Sequence, residues 1–285
     1  MTAPIAALVL LAAVLPSIWN ALAKAIPDRL ASSALIALAY LLAGVVGIFV
    51  FPLPDAASWP FIAASTVVQS LYLLILTPSY KHGDFSQIYP LARGSAVVMI
   101  TAGAALFLGE GLAPVQLLAV AAVAGALISL ACVGSGVSLF SGGQRRGAGF
   151  ALVTGLCIAA YSLIDGVGVR LSGSPLGYAM WLFALQGVVV PASCWLRAPD
   201  GRVLAGEVGR WWRLGLLGGL LSLVAYAMVV WAQGLAPLAL VSALRECSVL
   251  LAGVLGVLFF RERFSVRRAA LSVVAVAGIA VLQPG

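Results

Sequence analysis

The chain has 285 residues, of which 63% are hydrophobic and 9% are charged, and its formal net charge at pH 7 is +7. A soluble domain carries about 25% charged residues, so this composition excludes an ordinary soluble protein. A bilayer core takes roughly 20 apolar residues per helix, and runs of that length predict membrane-spanning helices.

Ten apolar runs follow one another along the chain. They cover residues 5–23, 30–51, 59–78, 84–108, 114–134, 148–170, 174–196, 211–233, 237–260 and 266–283. The runs are continuous, whereas a membrane β-barrel would show segments of about ten residues with alternating polarity. The first run lacks a basic segment before it, and Lys24 lies where a signal peptide would be cleaved, so we interpret it as a retained helix. The sequence therefore predicts an all-α integral membrane protein with ten transmembrane helices.

The loop cations predict the orientation of these helices. Cytoplasmic loops of membrane proteins carry an excess of Lys and Arg. The loops after helices 1, 3, 5, 7 and 9 hold Lys24, Arg29, Lys81, Arg145, Arg146, Arg197, Arg202, Arg210, Arg213, Arg261, Arg263, Arg267 and Arg268, and the other loops hold only Arg170. We therefore expect the odd-numbered loops in the cytoplasm and both termini outside. Topology and anionic headgroups account for the basic loops, so no nucleic-acid partner is expected.

A sequence repeat divides the predicted helices into two sets of five. A shift of the sequence by 152 residues places Arg93 and Glu110 on Arg245 and Glu262, together with a few apolar identities. An odd number of helices per repeat gives the two halves opposite orientations, an arrangement associated with alternating-access transporters. We expect a first repeat over 1–134, a linker over 135–147 and a second repeat over 148–285.

Polar residues at helical spacing predict which helices surround a central cavity, because polar side chains in a membrane should face protein or water. The stripes comprise Pro16, Trp19, Asn20 and Lys24 in helix 1; Ser65, Gln69 and Tyr72 in helix 3; Thr154, Cys157, Tyr161, Asp165 and Gly168 in helix 6; Ser222, Tyr226 and Gln233 in helix 8; and Ser242, Arg245, Glu246 and Ser248 in helix 9. We expect helices 1, 3, 4, 6, 8 and 9 around the cavity and helices 2, 5, 7 and 10 outside it. For the serines and threonines we favour helix packing.

The stretch GDFSQIYPLARG predicts an arginine deep in the membrane. Asp84 has the pattern of an N-cap with Gln87 three residues on, and Pro90 would bend the helix that follows. Arg93 lies nine residues from that cap, roughly 13 Å deep and near the midplane of the bilayer core. Arg245 is expected at a matching depth, entered from the opposite face.

An unpaired arginine at that depth costs about 3 kcal/mol or more on insertion scales, so acidic partners are expected. One hypothesis is that Asp165 and Glu246 neutralise Arg93 and Arg245, in an anion-binding or charge-switching site. The alternative is a structural salt bridge that holds the halves together. Because Arg245 and Glu246 are adjacent, their side chains should splay about 100° apart and form no simple pair within the helix. Glu110 and Glu262, at the ends of helices 4 and 9, are predicted to be structural or gating residues, as are Asp84 and Pro90.

Other motifs limit the chemistry. The four cysteines lie scattered in apolar runs without a CxxC pair, so no metal site is indicated, and nothing calls for a cofactor. The single histidine, His82, excludes the HExxH motif of a zinc protease and leaves no serine–histidine pair in the membrane. A membrane enzyme is therefore not expected. There is also no ATP-binding P-loop, which argues against primary transport by this chain alone.

Three phrases together, GDFSQIYPLARG, AYSLIDGVGVR and ALRECSVLLAGVLGVLFFRERF, resemble the EamA-like branch of the drug/metabolite transporter superfamily. The resemblance covers nearly the whole chain as two repeats. It implies a ten-helix inverted-repeat carrier with a central cavity in the bacterial inner membrane. Many relatives are similar to exporters of small polar compounds, although substrate does not follow from fold.

Our main interpretation is a secondary transporter, an exporter, of a small polar or zwitterionic metabolite. Arg93 and Arg245 would attract a carboxylate or phosphonate, and Asp165 and Glu246 would receive an amine or a coupling proton. The remaining predicted substrate-binding residues are Trp19, Asn20, Gln69, Tyr72, Tyr161 and Tyr226. The rival interpretation is a lipid-linked sugar flippase or an accessory subunit. The expected partners are the substrate and the bilayer, and a homodimer is compatible with the sequence.

Overall fold

The computed structural model describes residues 3–79, 85–133 and 144–246. These residues form nine α-helices and one 3-10 turn, Ala56–Ser58, and contain no β-strand. The helices are α1 (Ala3–Ala25), α2 (Arg29–Val50), α3 (Trp59–Ser79), α4 (Phe85–Leu108), α5 (Pro114–Val133), α6 (Gln144–Leu171), α7 (Pro175–Arg197), α8 (Gly201–Gln233) and α9 (Leu238–Arg245).

The helices follow the predicted runs within a few residues, with one exception. Helix α8 begins at Gly201 rather than at Trp211. Asp200 caps this helix, since its carboxylate accepts from the Arg202 backbone N–H at 2.8 Å. The added segment carries charged residues and therefore escapes a search for apolar runs. The second half of the run 237–260 and the whole run 266–283 lie outside the described residues.

Six helices of the described residues are long and apolar enough to cross a membrane: α2, α4, α5, α6, α7 and α8. Helix α8 alone has 33 residues. A multi-pass membrane protein follows from these helices. The count of ten spans stays a prediction.

The chain divides into two compact units. The first contains residues 1–10, 71–163 and 235–285, and its described part brings α4, α5 and α9 into contact. Ile100, Ala104 and Leu238 form a buried cluster there, with Ala159 of α6. This cluster packs α4 against the start of α9. Arg93 precedes the cluster on α4, and Arg245 follows it on α9.

The second unit contains residues 11–70 and 164–234, and packs α2, α7 and α8 together. Its buried core includes Tyr178, Leu182 and Phe183 of α7 and Val230 of α8. Helices α2 and α7 approach closely, because a Cβ on Gly44 would lie 2.6 Å from the Ala184 backbone nitrogen. Small residues permit such close approach of membrane helices.

Each unit draws on both predicted repeats. The division into repeats over 1–134 and 148–285 stays a prediction, since packing units and sequence repeats need not coincide. Helix α6 begins at Gln144, within the predicted linker 135–147. The inverted repeats and the cavity between them stay predictions.

Candidate functional site

Arg93 lies on the part of α4 that packs against its neighbours in the first unit. The helix begins at Phe85 and contains Pro90, which is buried. Gly155 of α6 allows close approach beside Arg93, since a Cβ there would lie 2.8 Å from the Ala92 carbonyl oxygen. The predicted capping residue Asp84 and the side chain of Gln87 lie outside the described residues.

Two arginines share one carboxylate oxygen. Arg93 Nη1 donates to Glu246 Oε1 at 3.0 Å, and Arg245 Nε donates to the same oxygen at 3.2 Å. The Glu246 side chain is 0% exposed, whereas 15% of the Arg93 side chain is exposed. We call Arg93, Arg245 and Glu246 the arginine–glutamate cluster. It joins α4 to the end of α9.

The sequence predicted that Arg245 and Glu246 would form no simple pair within a helix, whereas the structure brings the Arg245 guanidinium to Glu246 Oε1. Glu246 is the C-cap of α9, directly after Arg245. The guanidinium also reaches sideways on a long, flexible stem, which an argument from Cβ directions omits.

Aromatic side chains of the same unit surround the cluster. The Arg93 guanidinium carbon lies 5.2 Å from the centre of the Tyr89 ring, within the range of a cation–π contact. Tyr72 and Tyr161 pack edge to face with ring centroids 6.1 Å apart. Both tyrosines lie close enough to Arg93 to interact with it electrostatically. Aromatic walls of this kind suit an organic ligand.

The arginine–glutamate cluster offers guanidinium groups, which attract an anion, and a carboxylate oxygen that still lacks a hydrogen-bond donor among the described residues. Among the contacts of the described residues, two guanidinium groups face the one carboxylate of Glu246. The second Glu246 oxygen, Oε2, is buried and has no hydrogen-bond partner within the described residues. A buried carboxylate oxygen without a donor is unfavourable, and a proton or an ammonium group would satisfy it. The arrangement can therefore hold a carboxylate and an amine side by side.

A second polar cluster belongs to the other unit. Asp165 on α6 is 0% exposed. Its carboxylate accepts from the Tyr178 hydroxyl at 2.8 Å, the Tyr226 hydroxyl at 2.5 Å and Gln69 Nε2 at 3.3 Å. We call these four residues the aspartate–tyrosine cluster. The pairing of Asp165 with an arginine, which the sequence suggested, stays a prediction.

Tyr178 is the member that the sequence analysis missed, because helix 7 was expected outside the cavity. Its ring fits against Gly168, one turn after Asp165 on α6, where a Cβ would lie 2.6 Å from the hydroxyl oxygen. Gly168 was already part of the predicted stripe on helix 6. A glycine there indicates that another helix comes close, although it does not say which one.

The remaining predicted residues are spread over both units. Trp19 of α1 is half-buried in the second unit, and the side chain of Asn20 lies outside the described residues. Glu110 Oε2 accepts from the backbone N–H of Leu238 at 2.8 Å and so caps the start of α9, where the helix dipole favours an anion. Glu262 lies beyond the described residues.

Comparison with known proteins agrees with this picture. The EamA-like transporter family matches residues 145–283. Over these residues the chain is similar to the EamA-like transporter family. No curated protein matches the chain.

A solved structure is similar to this chain over a longer range than residues 145–283. A structure described as "Crystal structure of protein" is similar to this chain with a TM-score of 0.70 and 19% identity. The match covers 97% of this chain and 94% of that one. At this identity the likeness shows the fold alone.

Proposed function

We propose that the chain is a secondary transporter that exports a small zwitterionic metabolite across the bacterial inner membrane by alternating access. The match of residues 145–283 to the EamA-like transporter family supports a membrane transporter of this type. The observation that carries the substrate class is the arginine–glutamate cluster, which presents two guanidinium groups and one half-satisfied carboxylate.

The ligand carboxylate would bind the guanidinium groups of Arg93 and Arg245. Guanidinium forks match a carboxylate with two parallel hydrogen bonds. In doing so the ligand would compete with Glu246 Oε1 for these donors. The ligand ammonium would then compensate Glu246 through Oε2. A ligand with only a carboxylate would bring no ammonium group to Glu246. A zwitterion therefore fits the site better than a simple carboxylate.

Proton coupling is part of the proposal, since two carboxylates, Asp165 and Glu246, are fully buried in membrane-spanning structure. Uptake into proteoliposomes with and without an imposed pH gradient tests this step. Equal rates under both conditions would remove coupling from the proposal.

Ligand-dependent thermal stabilisation tests the substrate class. We expect a panel of amino-acid-like zwitterions to raise the melting temperature of the purified protein more than matched carboxylates or amines, because binding stabilises the native state. Arg93→Lys keeps the charge but loses the planar fork. This variant should bind the best ligand with an affinity lower by about tenfold or more, equivalent to about 1.4 kcal/mol of binding free energy.

Arg145→Lys is the matched control, since Arg145 is an exposed arginine at the start of α6. It should leave both melting temperature and ligand affinity unchanged. If Arg93→Lys lowers the melting temperature of the ligand-free protein but leaves the ligand shift intact, the cluster is a structural salt bridge and the proposed site is wrong.

A further inference from the structure

The start of α8 carries a cluster of basic and aromatic residues that plays no part in the proposed transport site. Arg210, Trp211, Trp212, Arg213 and Leu214 line an open surface pocket of about 390 Å³. Both arginines are exposed, and 49% of Trp212 is exposed. We call these five residues the α8 pocket.

The length of α8 places this pocket at the membrane surface. Its 33 residues span roughly 50 Å, whereas the hydrocarbon core is about 30 Å thick. Residues 214–233 carry no charge and are long enough to cross the core alone. Residues 201–213 therefore extend out of the core, and the pocket lies at the level of the lipid headgroups. Tryptophan is enriched at this level.

Each arginine of the pocket lies over a neighbouring indole ring, within the range of a cation–π contact. The Arg210 guanidinium carbon lies 5.6 Å from the Trp211 ring centre, and that of Arg213 lies 5.3 Å from the Trp212 ring centre. Trp211 Nε1 also donates to Glu207 Oε2 at 3.2 Å, which fixes the orientation of its ring. A guanidinium group over an aromatic face still has N–H donors that can bind a phosphate oxygen.

We propose that the α8 pocket is a binding site for the headgroup of an anionic phospholipid. The arginines would donate to the phosphodiester, and Trp212 and Leu214 would contact the glycerol and the upper acyl chains. The apolar part of the pocket favours a lipid over a free phosphate ion, since inorganic phosphate has nothing to place against an indole ring. The site is independent of the arginine–glutamate cluster, which belongs to the other unit.

The test is a titration of the delipidated full chain in detergent with phosphatidylglycerol, and the bound lipid is counted by native mass spectrometry. Phosphatidylcholine and inorganic phosphate are titrated in parallel. We expect phosphatidylglycerol to bind preferentially. Arg210→Gln with Arg213→Gln should weaken it on the order of 30-fold, because each basic residue near an anionic lipid surface contributes about a factor of five.

The matched control is Arg145→Gln with Arg146→Gln, which removes two exposed charges from the start of α6. It should change phosphatidylglycerol binding less than threefold. Equal losses in both double variants would show general charge attraction and overturn the proposal, as would no loss in the α8 variant. Binding of inorganic phosphate alone, lost in the α8 variant, would identify a soluble-anion site instead and also overturn it.

If the α8 double variant does not fold, Trp212→Leu keeps both arginines and removes the indole ring. It should weaken phosphatidylglycerol several-fold while phosphatidylcholine binding is unchanged. Unchanged phosphatidylglycerol affinity in that variant would overturn the proposal.

Discussion

At the scale of single residues, the two buried carboxylates are stabilised in different ways. Glu246 accepts from two guanidinium groups, and Asp165 accepts from two tyrosine hydroxyl groups and from an amide. A buried charge requires donors, and a hydrogen bond to a charged group contributes a net of about 1.5–3 kcal/mol. The aspartate–tyrosine cluster therefore depends on its tyrosine hydroxyls.

The Tyr178→Phe variant removes one of these hydroxyls without changing the shape of the side chain. We expect the free energy of unfolding to fall by about 1.5–3 kcal/mol, because a fully buried carboxylate loses a donor. Tyr40→Phe is the control, since the Tyr40 hydroxyl pairs with the neutral Ser222 hydroxyl at 2.6 Å. In Tyr40→Phe the free energy of unfolding should fall by only about 1 kcal/mol. Thermal melts in detergent rank the variants, and a larger loss in Tyr40→Phe would contradict the role of Asp165.

The sequence could predict part of these clusters. Helical spacing and scarcity of charge identified Arg93, Arg245, Glu246 and Asp165, because a charge inside an apolar run is conspicuous. The same reasoning could not pair them, since Tyr178 and Asp165 lie on different helices. The contact between Arg245 and Glu246 also depends on the reach of the long arginine side chain, which residue spacing does not reveal.

At the scale of helices, the packing of α2 against α7 depends on glycines. A Cβ on Gly44 would lie 2.6 Å from the Ala184 nitrogen and 2.9 Å from the Met180 oxygen, both backbone atoms. On the opposite side of this contact, a Cβ on Gly187 would lie 2.5 Å from the Leu41 Cα. Backbone atoms cannot move aside as a side chain can, so the two helices would have to separate.

Gly44→Ala should therefore destabilise the second unit by about 1–3 kcal/mol through overpacking. Gly149→Ala on α6 is the matched control, because its Cβ would have no atom within 4 Å. That change should be neutral or stabilising by up to about 1 kcal/mol, since alanine favours helix. Melting temperatures of the two purified variants decide the matter. Equal stability would mean that α2 and α7 can separate freely.

Helix positions were the most predictable part of the fold. A continuous apolar run leaves little choice of structure, since every backbone polar group must be satisfied within the segment itself. The start of α8 was predicted ten residues too late for the same reason. Residues 201–210 are helical but do not form a continuous apolar run, so a search for such runs does not find them. Close approaches such as that at Gly44 depend on which helices are neighbours, and the sequence of a single helix does not contain that information.

At the scale of the whole molecule, the loop charges predict which side of the membrane each loop faces. The loop after α4 carries no cation, whereas the loop after α7 lies between Arg197 and Arg202. Three candidate spans separate these loops: Pro114–Ala131, Arg145–Leu171 and Pro175–Arg197. An odd number of spans requires that the two loops face opposite compartments. The positive-inside bias then assigns the loop after α7 to the cytoplasm.

Single cysteines in the two loops test this topology. In a background with the native cysteines replaced, Gly111→Cys should react with a membrane-impermeant maleimide in intact cells. Pro199→Cys should react only after the cells are permeabilised. Both positions are exposed, so a difference in labelling reports the compartment rather than burial. The reverse pattern would invert the orientation and place the α8 pocket in the outer leaflet. Labelling of both sites in intact cells would contradict the three spans between them.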